Sequence, residues 1–132
     1  MNNDFFTDKI LPFWYKAPSI TLASSATGSN TLNLATDSQF EWWTLRVNCS
    51  LDGDTDRNPG NVDLQITDQS TGRLLMSGQI NQRLAAPIGG NNLFPYPVVF
   101  APNSTVVIDY TNQQASENIV TVALFGYKRF LS

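Results

Sequence analysis

The chain has 132 residues, of which 14% are charged and 42% are hydrophobic, and its formal net charge is −3. This length predicts one domain with a single core, and the apolar content excludes a disordered tail. There is no histidine and one cysteine, Cys49. Ser-His and Cys-His catalytic pairs, an intrachain disulfide and a thiolate metal cage are therefore excluded. With no basic run, no nucleic-acid surface is expected.

The first 18 residues differ from the rest of the chain. They are dense in large apolar side chains, but Pro12 and Pro18 interrupt them and neither a strand-like nor a helix-like period emerges. The aromatic members are Phe5, Phe6, Phe13, Trp14 and Tyr15. Because such a segment would not stay exposed to water, it either lies across its own domain or forms an arm that reaches a neighbouring subunit.

The start of the chain gives two further expectations. Residues 1–4 lack a basic region followed by an apolar run, so no signal peptide is expected. No stretch approaches the roughly 20 apolar residues of a membrane-spanning helix, so no membrane partner is expected.

From Ser19 onward, short segments alternate apolar and polar residues, as half-buried strands do. In chain order these segments are 20–22, 32–34, 40–51, 62–67 and 106–110. Two further strands are predicted: 73–77, which returns from a hairpin turn, and 119–127, which is apolar on both faces and suits a central strand. Residues 23–30 are a turn-rich link, 68–72 predict a hairpin turn, and 86–97 are predicted loops. Many short strands with almost no helix predict an antiparallel sandwich or barrel.

The segment 40–51 carries two tryptophans on opposite faces of the predicted strand. Its alternation assigns Trp43, Leu45, Val47 and Cys49 to one face and Phe40, Trp42, Thr44 and Arg46 to the other. Trp43 is therefore expected in the core. Trp42 is left as a candidate platform for stacking on a sugar ring, which keeps a carbohydrate-binding sandwich open as an alternative.

The acidic segment after this strand has the alternate spacing of a loop that wraps a hard cation. Its candidate ligands are Asp52, Asp54, Asp56 and Asn58. However, Arg57 stands at the sixth position, where such a calcium loop needs glycine for its turn. The sequence therefore predicts a hydrated hairpin loop and no metal or other cofactor.

Asp37 and Glu41 lie beside two tryptophans, which is how the acids of a glycosidase can be arranged. Nothing in the sequence fixes the separation that this mechanism requires, and exposed acids are ordinary at a strand start. Lys128 and Arg129, at the end of the last strand, are expected to be solvated or to form a salt bridge. An enzyme is therefore not predicted.

Three segments in the C-terminal part carry a resemblance to a known class of proteins. They are the aromatic-proline loop LFPYPVVF at 93–100, NSTVVIDYTN at 103–112, and the last strand with ALFGYKRF at 123–130. Together they resemble tailed-bacteriophage virion proteins of the jelly-roll type, the cement or decoration proteins on the outside of the capsid. The resemblance implies a non-enzymatic, oligomeric protein that bridges major capsid protein subunits. The symmetry of homo-oligomers favours a dimer or trimer.

The resulting expectation is an all-β protein: an antiparallel jelly-roll-like β-sandwich at 19–132 with an extended N-terminal arm at 1–18. It would be assembled in the host cytoplasm onto the capsid exterior. The surface rich in Asn, Gln, Ser and Thr would dock with little charge desolvation. The predicted capsid or subunit contacts are Phe5, Phe6, Phe13, Trp14, Tyr15, Phe94 and Tyr96. A tail, neck or fibre component is the alternative within virions.

Overall fold

The computed structural model describes residues 9–51, 61–82 and 93–130. Within these ranges the chain forms ten β-strands. They are β1 (Lys9–Lys16), β2 (Ile20–Leu22), β3 (Thr27–Asn33), β4 (Ser38–Leu51), β5 (Val62–Asp68), β6 (Arg73–Leu74), β7 (Ile80–Asn81), β8 (Val98–Phe100), β9 (Thr105–Asn112) and β10 (Asn118–Phe130).

The strands form two antiparallel sheets. The first, which we call sheet A, has the order β1-β10-β4-β8, and β2 pairs with β10 beyond the end of β1. The second, sheet B, has the order β3-β9-β5-β6, with β7 also pairing with β5. Since β1 and β2 share one edge, as do β6 and β7, each sheet has four strand positions. This is the eight-position order of a jelly roll, and the predicted all-β antiparallel sandwich is confirmed.

The core lies between the inward faces of the two sheets. In β5 and β9 buried residues alternate strictly with half-buried ones, as the sequence pattern predicted. The largest fully buried side chains are Tyr110, Phe40, Phe100, Leu45, Leu64, Ile66, Ile108 and Leu124. The strand predicted from residue 32 begins earlier, at Thr27, because it pairs with β9 along its whole length.

A β-bulge in β4 determines which side chains of this strand face the core. Phe125 pairs with Thr44 and Gly126 pairs with Trp42, so Trp43 has no partner residue in β10. The extra residue reverses the alternation. Phe40 and Trp42 are therefore buried before the bulge, and Leu45 and Cys49 after it.

The position opposite the bulge requires glycine. A Cβ atom built on Gly126 would lie 1.8 Å from the backbone oxygen of Glu41 and 3.0 Å from the Cα of Trp42. Both are backbone atoms, which cannot rotate away as a flexible side chain could. The bulge thus depends on the missing side chain at this point of β10.

The expected N-terminal arm differs from the structure in its described part. Residues 9–16 are β1, which pairs with β10 from Lys9↔Phe130 to Lys16↔Ala123. The pairing turns Phe13 and Tyr15 towards the core, where both are partly buried. Pro12 had obscured the strand pattern, but proline is tolerated on an edge strand. Residues 1–8, with Phe5 and Phe6, lie outside the described residues.

Asn112 joins three parts of the fold through one buried amide. The side chain is 1% exposed, and its Nδ2 donates to the backbone oxygens of Ala23 and Ser116 at 2.9 and 3.0 Å. Its Oδ1 accepts from the N–H of Gln114 at 2.9 Å and from Nδ2 of Asn118 at 3.3 Å. The amide thereby ties the end of β9 to the β2–β3 connection and to the start of β10.

We expect Gly126→Ala to lower the free energy of unfolding by about 3 kcal/mol or more, because the new methyl group must displace backbone. Gly78→Ala is the matched control, since a Cβ there meets nothing within 4 Å. Equilibrium denaturation with urea measures both. Equal stability of the two variants would contradict the close approach of β4 to Gly126.

We expect Asn112→Ala to cost about 2–4 kcal/mol, because several buried backbone groups lose their hydrogen-bond partner together. Gln113→Ala removes only an exposed bond to Asp63, and about 0.5 kcal/mol is expected for it. Thermal and urea unfolding of both variants provide the comparison. A cost below about 1 kcal/mol for Asn112→Ala would show that the network does not stabilise the fold.

Candidate contact surface

The aromatic-proline loop is attached to the bulge in β4. The N–H of Phe94 donates to the backbone oxygen of Trp43 at 2.9 Å. The ring of Phe94 also meets the ring of Trp42 edge to face, with centroids 4.8 Å apart. Tyr96 follows between two prolines, which restrict its backbone, and its side chain is 81% exposed. The loop thus holds one aromatic residue inside and presents the next to solvent.

An apolar cavity of about 370 Å³ lies beside this loop, between the two sheets. Its lining residues are Trp42, Leu45, Leu75, Met76, Ile80, Phe94, Pro95, Tyr96 and Val98. The Nε1 of Trp42 already donates to the backbone oxygen of Thr44 at 2.7 Å. This lining carries no charged side chain, so the cavity suits an uncharged, apolar group.

The outward face of sheet A carries a second aromatic group. Trp14 is 51% exposed and contacts Phe125 across the strand pair, with ring centroids 4.4 Å apart. Phe125 in turn lies 6.0 Å from Tyr127, and Ile10 is also exposed. We call Ile10, Trp14, Phe125 and Tyr127 the aromatic face.

The aromatic face continues across sheet A towards the loop. Tyr127 pairs with Glu41, and Glu41 pairs with Val99, which is exposed and follows Tyr96 by three positions. Glu41 is neutralised by Arg129, whose Nε donates to its Oε2 at 2.8 Å. The outward side chains that follow one another across the sheet, from β1 through β10 and β4 to β8, are therefore mainly apolar. Among the described residues of this row there is one ion pair, between Glu41 and Arg129.

Two predicted contact residues, Phe13 and Tyr15, face the protein's own interior. The Lys128 ammonium lies 3.8 Å from the centroid of the Phe13 ring, a cation–π contact. Tyr15 meets Phe40 edge to face, and its hydroxyl accepts from the N–H of Ala35 at 2.9 Å. Burial raises the pKa of Tyr15, an effect that the hydrogen bond from Ala35 opposes. The contacts of both side chains are therefore within the protein, where they stabilise the fold.

Of the seven predicted contact residues, the structure exposes Trp14 and Tyr96. Phe13, Tyr15 and Phe94 are half-buried against the core, and Phe5 and Phe6 lie outside the described residues. The sequence interpretation missed Phe125 and Tyr127 because 119–127 is apolar at both alternate positions. The strand beside them, β1, is an edge strand, and no other described element covers the outward face of β10 at this point. The sequence of β10 alone does not show which of its two faces is covered.

The prediction that Trp42 could be a platform for stacking on a sugar ring is wrong. Its side chain is 2% exposed and lies inside the core, so it cannot stack on a ligand outside the protein. Trp43, expected in the core, is instead half-buried on the other side of β4. The bulge causes both changes. Glu41, one of the two acids that the sequence places beside the tryptophans, is paired with Arg129, while Asp37 accepts from the hydroxyl of Ser38 at 3.1 Å.

The candidate cation loop, Asp52, Asp54, Asp56 and Asn58, lies outside the described residues. Among the residues that are described, no group of three or more His, Cys, Asp or Glu side chains is placed to hold a metal ion. The described ranges also contain no helix with the length and apolar character needed to cross a membrane.

No protein-family model and no curated protein matches the chain. Among solved structures it is similar to the Drosophila NLP core, a protein studied for pentamer formation and histone binding, at 12% identity over 92% of this chain and 100% of that one, with a TM-score of 0.39. It is also similar to VP2 of the infectious bursal disease virus subviral particle, at 13% identity and a TM-score of 0.38. That match covers 96% of this chain but only 39% of VP2.

The two tryptophans Trp42 and Trp14 should respond differently to truncation. We expect Trp42→Ala to cost about 3–5 kcal/mol, because it opens a large cavity in the core. Trp14→Ala should cost about 1 kcal/mol, since half of that side chain is already in water. Urea unfolding of both variants measures the difference. If Trp42→Ala were the milder change, the bulge would be placed wrongly.

Proposed function

We propose that this protein is a structural virion protein that binds the outside of a bacteriophage capsid and stabilises contacts between major capsid protein subunits. The observation that supports this most is the aromatic face of sheet A, together with the exposed Tyr96. Ile10, Trp14 and Tyr96 are exposed there, and Phe125 and Tyr127 are half-buried beside them. A cluster of apolar side chains that reaches solvent in this way is typical of protein interaction sites. The resemblance of the C-terminal segments to phage decoration proteins suggests the partner.

The side chains on this surface are those that dominate binding energy at protein interfaces. Tryptophan and tyrosine are enriched among hot-spot residues because they bury a large, rigid area. Trp14 is held by Phe125, and Tyr96 is held between two prolines, so little side-chain or backbone freedom is lost on docking. A few such anchors per copy would suffice on a lattice, where many copies bind together.

The charges near this surface favour docking with a protein surface. Glu41 and Arg129 already neutralise each other, so covering them desolvates a pair and not an isolated charge. Lys16 and Arg46 are exposed on the same side of sheet A, and both pair with Ala123. They would stand at the margin of the aromatic face, where a polar rim is usual.

The geometry of the rings is less suited to a sugar. Trp14 is tilted 41° from Phe125, and Phe125 is tilted 56° from Tyr127. Stacking of successive sugar rings favours aromatic ring faces that lie in one plane, whereas these three rings are tilted against one another. A carbohydrate-binding module is therefore the weaker proposal.

The test is binding of the purified protein to capsids assembled without it, measured by co-sedimentation. Trp14→Ser and Tyr96→Ser are each expected to weaken binding about 10- to 100-fold, as loss of a hot-spot residue does. Gln69→Ser, in an exposed turn of sheet B, is the matched control and should bind as the unsubstituted chain does.

Deletion of residues 1–8 tests Phe5 and Phe6 separately from the sheet, because β1 begins at Lys9. Loss of capsid binding by a folded deletion variant would extend the contact surface to those residues. Wild-type binding by both Trp14→Ser and Tyr96→Ser would contradict the proposal. Density for the protein on the tail, and not on the shell, would favour the tail, neck or fibre alternative.

A further inference from the structure

The four edges of the two sheets are protected to different degrees. Edge strands expose unpaired backbone groups, and proteins usually shield them with proline, charge or short length. In sheet A, β1 carries Pro12 and two lysines, and β8 is three residues long between Pro97 and Pro102. In sheet B, β6 and β7 have two residues each.

The remaining edge, β3, has none of these protections. It runs over seven residues, Thr27–Asn33, with the sequence TGSNTLN. This sequence contains neither proline nor a charged side chain. Among the described strands, β3 pairs with β9 alone.

The register shows which backbone groups of β3 point outward. Ala26 accepts from the N–H of Asn112 at 2.8 Å, and the N–H of Leu34 donates to Ser104 at 2.9 Å. Because hydrogen-bonded pairs alternate along an antiparallel ladder, the even-numbered residues between them also bond to β9. The odd-numbered residues Thr27, Ser29, Thr31 and Asn33 direct their N–H and C=O groups away from it. All four are exposed.

We propose that β3 is a dimerisation edge, where it pairs antiparallel with β3 of a second copy about a two-fold axis at Asn30. This register places Ser29 opposite the second copy's Thr31, and Thr27 opposite the second copy's Asn33. The four outward residues of each copy then offer four N–H donors and four C=O acceptors to matching groups. The two B sheets become one continuous sheet.

A second copy fits this edge because β3 is complementary to itself. An isologous interface makes each contact twice, so a single charge on β3 would face an uncharged residue of the second copy at two places. The strand has no charge, and hydroxyl pairs across antiparallel strands are favourable. The nearest outward carboxylate in the ladder is Asp109, opposite Ser29 on β9. The two Asp109 residues of a dimer would be about 16 Å apart, across three strand spacings and an offset of two residues along the strands, which is beyond the screening length of about 10 Å.

Sheet A blocks the inward face of β3, so a further strand can reach β3 only in the plane of sheet B. Gly28 lies directly over β2, and a Cβ atom there would be 2.8 Å from Leu22 and 2.9 Å from Ile20. The space between the sheets is therefore filled by the chain's own side chains. An added strand would extend sheet B and would not enter the core.

The resulting interface is small. Seven residues span about 24 Å, and one strand pair lies at the low end of the size range of specific interfaces. We therefore expect a weak, reversible dimer whose two aromatic faces can engage a repeated surface together. This dimerisation does not require the proposed capsid binding, and it can be measured on the isolated chain.

The first experiment is sedimentation velocity of the full chain over a concentration series. The unsubstituted protein is expected to shift from monomer to dimer as concentration rises. Thr31→Pro removes one outward N–H and leaves the ladder to β9 intact, so the dimer dissociation constant should rise about tenfold or more. Thr31→Val, which keeps the N–H, is the matched control and should remain within about threefold of the unsubstituted value.

A second experiment, with variants of opposite charge, tests the same interface if the proline variant fails to fold. Ser29→Lys/Thr31→Lys and Ser29→Glu/Thr31→Glu each place like charges opposite each other, so each variant alone should be monomeric. An equimolar mixture should form heterodimers, because the lysines of one copy then face the glutamates of the other.

Three results would overturn the proposal: a monomer at every concentration, dimerisation of folded Thr31→Pro equal to that of the unsubstituted chain, or no heterodimer in the mixture. Dimerisation that Trp14→Ser abolishes and Thr31→Pro leaves unchanged would assign the interface to the aromatic face instead. Capsid binding by the monomeric charge variants would leave the proposed function standing, so the two proposals fail separately.

Discussion

The close approach of the Glu41 carbonyl to Gly126 is the constraint on which the rest of sheet A depends. It allows β4 to accommodate one extra residue, Trp43, opposite the regular strand β10. From that point the two parts of β4 face the core with opposite parity. Phe40 and Trp42 fill one end of the sandwich, and Leu45 and Cys49 fill the other. A side chain at residue 126 would force this register apart.

The same bulge connects the core to the proposed contact surface. The carbonyl of Trp43 is left to accept from Phe94, whose ring then packs against Trp42. This attachment fixes the start of the aromatic-proline loop and leaves Tyr96 in water. On the other side of sheet A, the edge strand β1 supplies Trp14 to Phe125. The proposed anchors Trp14 and Tyr96 therefore lie on a regular strand and on a loop that is fixed to β4. Such fixed positions suit a surface that is complementary in shape to a partner.

The edge strands β1 and β3 are protected to different degrees, and the two edges therefore suit different kinds of contact. Proline and lysine shield the backbone of β1, so a partner at this edge would meet side chains of the aromatic face. The edge of β3 has backbone groups to offer and almost no apolar side chains beside them. Under the two proposals, one surface binds through aromatic anchors and the other through a strand ladder. Neither surface requires a charge to be buried alone.

By itself, the sequence determined the all-β class, most of the strands and the faces of β5 and β9, because alternation of apolar and polar residues is a local property. It also determined that Tyr96 would lie in a loop, since the flanking prolines restrict the backbone wherever the chain goes. Only the tertiary structure decided which tryptophan of β4 is buried, since the bulge depends on a glycine in a distant strand. It likewise decided that residues 9–16 are an edge strand, because their partner, β10, lies at the other end of the chain. Patterns in one segment cannot show what packs against it, and these assignments depended on that packing.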